Sequence, residues 1–286
     1  MRVELLSVPY DSGVRGVRMG AGPEALLNSG LADRIAARGN DVSQTIIELP
    51  SDSFLPEVKA AFELDRRLAK AVSAAIARDA FPVVLSGNCI SSLATVSGLG
   101  VSEPGVIWFD AHGDFNTPET TKSGFLDGMA LAILTGQCWQ PLAKTIPGFE
   151  PVRDDRVMLI GARHFDDDEN ALLSQTKVVR VSTASMRKEF RDALAEFGQR
   201  VHDVYLHVDL DVLDTSEGNA NSFAVEGGLS LRELLDAIHA IGDVTRIRAV
   251  ALTAYDPACD RNGKMREAAS TVIEAAIERS TDKGAS

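Results

Sequence analysis

The chain has 286 residues, is 45% hydrophobic but only 6% aromatic, and carries a formal net charge of -12. It is long enough to bury a large core, and this acidic balance excludes the clustered Lys and Arg that nucleic acid or an anionic membrane requires. A small-molecule partner is expected, with no nucleic acid and no membrane.

Along the chain, short apolar and β-branched runs occur at Val3–Val8, Pro82–Leu85, Val106–Phe109, Val157–Ile160, Val204–Val208 and Ile247–Leu252. They are nearly continuous rather than alternating, which predicts strands of a parallel sheet buried on both faces. Between them, helical periodicity is clearest at Pro23–Ala37, Pro56–Ala77, Leu229–Ile241 and Met265–Glu278. The alternation predicts one α/β domain over residues 1–286, a three-layer α-β-α arrangement around a central, mainly parallel sheet. The segments Pro141–Asp155 and Thr215–Gly227 read as long loops of that domain. No export signal is evident, and Cys89, Cys138 and Cys259 have no paired spacing, which points to a reducing cytoplasm.

Ligands of open α/β sheets collect at the carboxyl ends of the strands, so the polar residues there carry the functional reading. The run Val106–Phe109 leads into Asp110, His112 and Asp114, three potential ligands at alternate positions on one face. The run around His207 ends in Asp209 and Asp211 in the same way. Four carboxylates and an imidazole crowded at apolar strand ends need a cation to neutralise them, since burying unpaired charge costs several kcal/mol. A pair of divalent ions bridged by carboxylates satisfies that need. His207, inside its run, reads as a core histidine. Cys89, in Ser86-Gly-Asn-Cys89 after a third buried strand, is by itself more often packing than a ligand.

The stretch Asp110-Ala-His112-Gly-Asp114-Phe-Asn116-Thr-Pro-Glu-Thr-Thr121-Lys-Ser123-Gly resembles a signature stretch of the arginase (ureohydrolase) family. Four further segments match in order: Gly20-Ala-Gly-Pro23, Gly161-Ala-Arg163-His-Phe-Asp166, Asp209-Leu-Asp211-Val-Leu-Asp214 and Gly227-Gly-Leu-Ser-Leu-Arg232-Glu. The resemblance implies an arginase-like sheet of about eight strands and two divalent ions, manganese in that family. It makes Asp110 and Asp209 bridging ligands, with Asp114 completing one site and His112 and Asp211 the other. It also implies that Asn116, Thr121 and Ser123 hold a substrate α-carboxylate and that Asp166 and Glu169 hold its α-amino group. A homo-oligomer, trimer or hexamer, would follow from the family.

Three positions depart from the family pattern. Cys89 stands where the family has a metal-ligating His, and a thiolate prefers softer ions than manganese. Asp127, in Gly124-Phe-Leu-Asp127, stands where the family has its proton-shuttling His, and is read as catalytic alongside Asp114. Ala254 stands where a Glu clasps the guanidinium, so Asp256 or Asp127 would have to compensate. The Cys and the surrounding motif are closest to the Nω-hydroxy-L-arginine hydrolase subtype. The expected activity is hydrolysis of a C–N bond in a guanidino or amidino group of an amino acid. The alternatives are a formimidoylglutamase-like hydrolase and a weakened homologue that binds an amino acid without turnover.

Overall fold

A computed structural model describes residues 1–50, 55–186 and 188–281 of the chain. Its strands are β1 (Arg2–Val8), β2 (Tyr10–Asp11), β3 (Val14–Arg15), β4 (Asp41–Ile46), β5 (Ala80–Ser86), β6 (Gly105–Phe109), β7 (Val157–Ile160), β8 (Val179–Val181), β9 (Asp203–Asp209) and β10 (Arg246–Thr253). Its α-helices are α1 (Gly22–Asn28), α2 (Leu31–Ala37), α3 (Glu57–Ala77), α4 (Ser91–Gly98), α5 (Ala130–Leu134), α6 (Gln140–Ala143), α7 (Asp167–Leu173), α8 (Phe190–Gly198), α9 (Leu231–Val244) and α10 (Lys264–Thr281).

Eight strands form one sheet in the order β4-β1-β5-β10-β9-β6-β7-β8, paired in parallel throughout. β2 and β3 form a separate antiparallel hairpin. Because parallel strands are joined by crossovers that cover both faces, the inner strands are apolar on both sides. Leu5, Val83, Ile107 and Leu206 pack to one face with Leu26 of α1, Phe190 of α8, Ile238 of α9 and Ile273 of α10. Leu6, Val84, Trp108 and Tyr205 pack to the other with Phe62 of α3, Leu93 of α4 and Leu131 of α5. The expected three-layer arrangement is present.

Every strand expected from the apolar runs is found. The two missed in the main sheet are its edges: β4 is mostly exposed and reads Asp-Val-Ser-Gln-Thr-Ile, and β8 has three residues; the short hairpin strands β2 and β3 were missed as well. An edge strand needs no apolar outer face, so its sequence lacks the buried signature. The helix expected over Pro23–Ala37 is two helices, because Gly30 adopts φ +88° and turns the chain between α1 and α2. The expected loop Pro141–Asp155 has α6 at its start, whereas Thr215–Gly227 is irregular as expected.

Strands β5, β10, β9 and β6 are consecutive neighbours in the sheet. Their carboxyl ends therefore deliver Cys89, Ala254, Asp209 and Asp110 to one crevice although these residues are far apart in sequence. The turn after β5 demands glycine at position 87, where a Cβ atom would lie 2.2 Å from the Tyr10 carbonyl oxygen. That contact packs the first strand's exit against the turn that presents Cys89.

Candidate metal centre

Asp110, just past β6, is 1% exposed; its Oδ1 accepts from the His112 backbone N–H at 2.7 Å and its Oδ2 from Trp108 Nε1 at 3.0 Å. These donors fix the carboxylate plane. His112 Nδ1 lies 3.4 Å from Asp110 Oδ1 and 3.4 Å from Asp211 Oδ2. Asp209 ends β9; its Oδ1 accepts from the Asp211 N–H at 2.9 Å, and its Oδ2 lies 3.2 Å from Cys89 Sγ. Asp211 is held by Asn221 Nδ2 at 3.2 Å and by the Ala111 N–H at 3.2 Å. Potential ligand atoms of Asp110, His112 and Asp211 lie within 4.8 Å of one another, as do those of Cys89, Asp110 and His207.

Asp114 has φ +48°, a left-handed conformation unusual outside glycine, and its Oδ2 is buried with no hydrogen-bond partner. Such an orphan acceptor, held by a strained backbone at a strand exit, is accounted for by a bound cation. The nearby guanidinium of Arg163 does not answer the charge: it donates to the carbonyls of Gly161, Asp211, Val225 and Glu226. Four buried carboxylates, one with an orphan oxygen, and an imidazole fit hard divalent ions, with the Cys89 thiol the one soft donor.

The protonation pattern agrees. Burial, then neighbouring carboxylates, pushes Asp114 and Asp209 well above the usual carboxylate range, and the Cys89 thiol is pushed up by burial and by Asp127 and Asp209. Burial opposes the charge on His112, but Asp211 and Asp110 overcome it and raise the imidazole to about 12. Burial also works against ionisation of Asp211, yet His112 draws it down to about 2. The result is an imidazolium between two carboxylates, a charge pattern that a divalent ion on Nδ1 would replace. Burial alone drops His207 to about 3. Its ring nitrogens face Tyr205 Oη at 3.0 Å and Thr253 Oγ1 at 3.3 Å, so it is a satisfied core histidine despite its proximity to Cys89.

A cavity of about 310 Å³ opens over this cluster, lined among others by Cys89, His112, Asp114, Asp209 and Asp211 at its floor. Asn116, Ser123 and Asp166 line it farther out, and Asp127 is part of its wall. Glu169 lines it too, but its carboxylate already accepts from the Phe115 N–H at 2.9 Å and from the Asp166 N–H at 3.0 Å. Glu169 thus caps α7 and orients Asp166. Thr121 is not part of the lining; its hydroxyl accepts from the Gly124 N–H at 3.0 Å and shapes the turn that presents Ser123. Asp256 is turned away, accepting from the Ala258 N–H at 2.9 Å, so it does not replace the carboxylate missing at Ala254, which does line the cavity.

Asp127 is 7% exposed; burial first, with Asp11 and Asp110 adding, raises it to about 7 against the lowering bonds from the Ile90 N–H and Asn88. Two pocket residues, Asn221 and Phe223, carried no sequence signal. Both come from the irregular Thr215–Gly227 loop, and His164 sits edge-on to His112 with centroids 5.5 Å apart. Lys122 lines the mouth with its Nζ 3.1 Å from Asp166 Oδ1. A larger, open hollow of about 630 Å³ lies beyond Asn221, but none of the candidate ligands lines it.

The family model described as "Arginase family" matches residues 1–278. The arginase of Bacillus caldovelox is 31% identical over 282 residues, which span 92% of this chain and 93% of that protein. The solved structure of arginase from that organism superposes with a TM-score of 0.88 at 28% identity, covering 96% of this chain and 98% of the other. Formimidoylglutamase of Bacillus subtilis has the same fold, with a TM-score of 0.74 at 19% identity over 97% of this chain and 86% of its own. With the fold, the strand-end carboxylates and the sequence match all in agreement, the chain belongs to the arginase family and is a hydrolase of that type.

Proposed function

We propose that the chain is a binuclear, metal-dependent hydrolase that cleaves a C–N bond of a guanidino or amidino group on an amino-acid substrate, Nω-hydroxy-arginine or an arginine-like compound. The observation that carries this reading is the layout of one cavity. Cys89, Asp110, His112, Asp114, Asp209 and Asp211 line or flank its floor, while Asn116, Ser123 and Asp166 lie farther out. Asp110 and Asp209 would bridge two ions, Cys89 and Asp114 completing one site and His112 and Asp211 the other. Divalent ions there, manganese in the family, supply a water acidified for attack and neutralise charge developing on the amidino group.

The remaining work falls to the chain. Asp166 attracts an α-ammonium, Asn116 and Ser123 donate to an α-carboxylate, and Thr121 and Glu169 hold these groups in place, which turns the reacting end toward the cations. Asp114 accepts a proton from the attacking water. Asp127, in the cavity wall and raised to about 7, would give the departing amine its proton. Ala254, with no carboxylate, gives a fully charged guanidinium less to pair with and favours a less basic group such as an N-hydroxyguanidine. The same absence supports a formimino amino acid as the second reading.

A screen of guanidino and amidino amino acids with manganese, cobalt, nickel and zinc tests the proposal. Turnover of arginine-like substrates is expected, faster for the hydroxylated form. No turnover with two bound ions per chain would leave a binding role. The reading includes a single catalytic domain in the cytoplasm, assembled as a homo-oligomer, which light scattering checks as trimer or hexamer. No helix among the described residues is long and apolar enough to cross a membrane.

A further inference from the structure

On the far side of Asp127 from the substrate cavity lies a second, small cavity of about 20 Å³, whose walls include Ser12, Glu57, Asp65, Ser86, Asn88 and Asp127. That is room for one water molecule. Glu57, Ala61 and Asp65 line it from a single face of α3, since residues four apart on a helix stack above one another. The half-buried Ser12 and Glu57 form its outer rim, and Asp65, only 2% exposed, lies within.

Asp65 is an anomaly. Its Oδ2 is buried with no hydrogen-bond partner, a condition rare enough in folded proteins to require a reason. Its neighbours are already engaged. Asn88 Nδ2 donates to Asp127 Oδ2 at 2.9 Å, Asn88 Oδ1 accepts from the Ser12 N–H at 2.9 Å, and Ser86 Oγ donates to the Asn88 carbonyl at 3.0 Å. Arg66, the adjacent cation, turns its guanidinium to Glu63 and to Thr145 instead. The hydroxyl of Tyr205, on β9, is engaged with His207 Nδ1 at 3.0 Å. Burial, and then the charge of Asp127, push Asp65 well above the usual carboxylate range despite Arg66, which favours its protonated form.

We infer that Asp65 is a positioning residue in a proton route that reaches Asp127 from behind, through a water in this cavity and out past Glu57 to solvent. The inference rests on the reading of Asp127 as donor to the leaving amine. A substrate filling the main cavity closes the front of Asp127 to bulk water, whereas the rear cavity stays open. When Asp127 gives its proton to the amine, the cavity water passes a proton to the Asp127 carboxylate and takes one from the Asp65 carboxyl. Asp65 is refilled from solvent beside Glu57. One solvent proton ends on the amine, and no electrons change hands.

The test uses the metal-loaded full chain and the best substrate from the screen. Asp65→Asn keeps the shape of the side chain but cannot relay a proton. It is expected to lower kcat about a hundredfold, the lower end of general-acid effects, with unchanged KM and metal content, and small acids such as formic acid or imidazolium should restore part of the loss. Glu57→Gln, at the helix start where folding tolerates change, should lower kcat in the same direction by a smaller factor. An Asp65→Asn enzyme with wild-type kcat from about pH 6 to 9 overturns the route, as does a loss of KM, metal and thermal stability together. A wild-type chain inactive on every guanidino and amidino compound overturns the hydrolase reading instead.

Discussion

Trp108 and His207 are register partners on the neighbouring strands β6 and β9, and their rings stack with centroids 3.6 Å apart and 13° between planes. The stack sits directly beneath the candidate metal centre. From it Trp108 Nε1 reaches Asp110 Oδ2, while His207 Nε2 faces Thr253, whose hydroxyl is 3.3 Å from Cys89 Sγ. The aromatic layer of the core thus sets the orientation of two candidate ligands.

Trp108→Phe should keep a ring against His207 but remove the donor to Asp110. Removing an outer partner of a metal ligand costs about 10- to 100-fold in metal affinity. That loss is expected here, read by competition with a chelator, and an unchanged affinity would show that the indole bond does not orient Asp110.

Asp110→Asn and Asp209→Asn should each abolish turnover and reduce bound metal, because each bridging charge serves both ions. Asp211→Ala should empty mainly the site shared with His112, since Asp211 Oδ2 lies 3.4 Å from the His112 ring. Metal analysis of the dialysed variants checks this, and full occupancy in both bridging variants would sink the assignment.

Cys89 lies beside both Asp209 and Thr253 and is only 2% exposed. Cations there would deprotonate the thiol outright. Cys89→Ser should weaken one site while leaving the melting temperature of the metal-free protein within about 3 °C of wild type, and Cys89→His should strengthen manganese binding. If Cys89→Ser keeps both ions at wild-type affinity, the thiol is packing only.

Ser123→Ala and Asp166→Ala should raise KM by about tenfold or more while changing kcat little, since they hold the non-reacting end of the substrate. The Ser123 effect should vanish with a decarboxylated amine such as agmatine, whereas the Asp166 effect should persist because agmatine keeps the ammonium. Should agmatine be the better wild-type substrate, the amino-acid head group is excluded.

The metal-free protein should lose stability as pH rises from about 5.5 to 8. Asp114 and Asp209 are held well above their unfolded value near 4, and Asp127 near 7, so the folded state binds more protons in this window. His112, raised to about 12, acts in the same direction above its unfolded value near 6.5, while Asp211, lowered to about 2, contributes a constant amount above pH 4. Bound metal displaces those protons, so the rise in melting temperature on adding manganese should be larger at pH 8 than at pH 5.5. Calorimetry with and without chelator measures both slopes, and equal metal-induced rises would refute the account.

The buried strands were legible in the sequence because a parallel strand covered on both faces leaves a continuous apolar run, as at Val106–Phe109 and Val204–Val208. The ligand candidates were legible because Asp110, His112 and Asp114 follow a buried apolar run, although they lie past the end of β6 and are gathered by the turn rather than by strand alternation, and the family segments extended that reading to Ser123 and Asp166. β4 was not, because an edge strand exposes its side chains, and the break at Gly30 hid inside one helical period. What only the tertiary structure decided are the contacts between distant segments. The sheet order brings Cys89 after β5 beside Asp209 after β9, turns Asp256 out and Ala254 in, and places Asn221 from an irregular loop against Asp211. It also sets Asp65, an ordinary polar position in the α3 pattern, behind Asp127 in a cavity that neither local sequence describes. Periodicity reports which way a residue faces within its own element, but partners across the sheet are chosen by strand order and packing, which no single segment encodes.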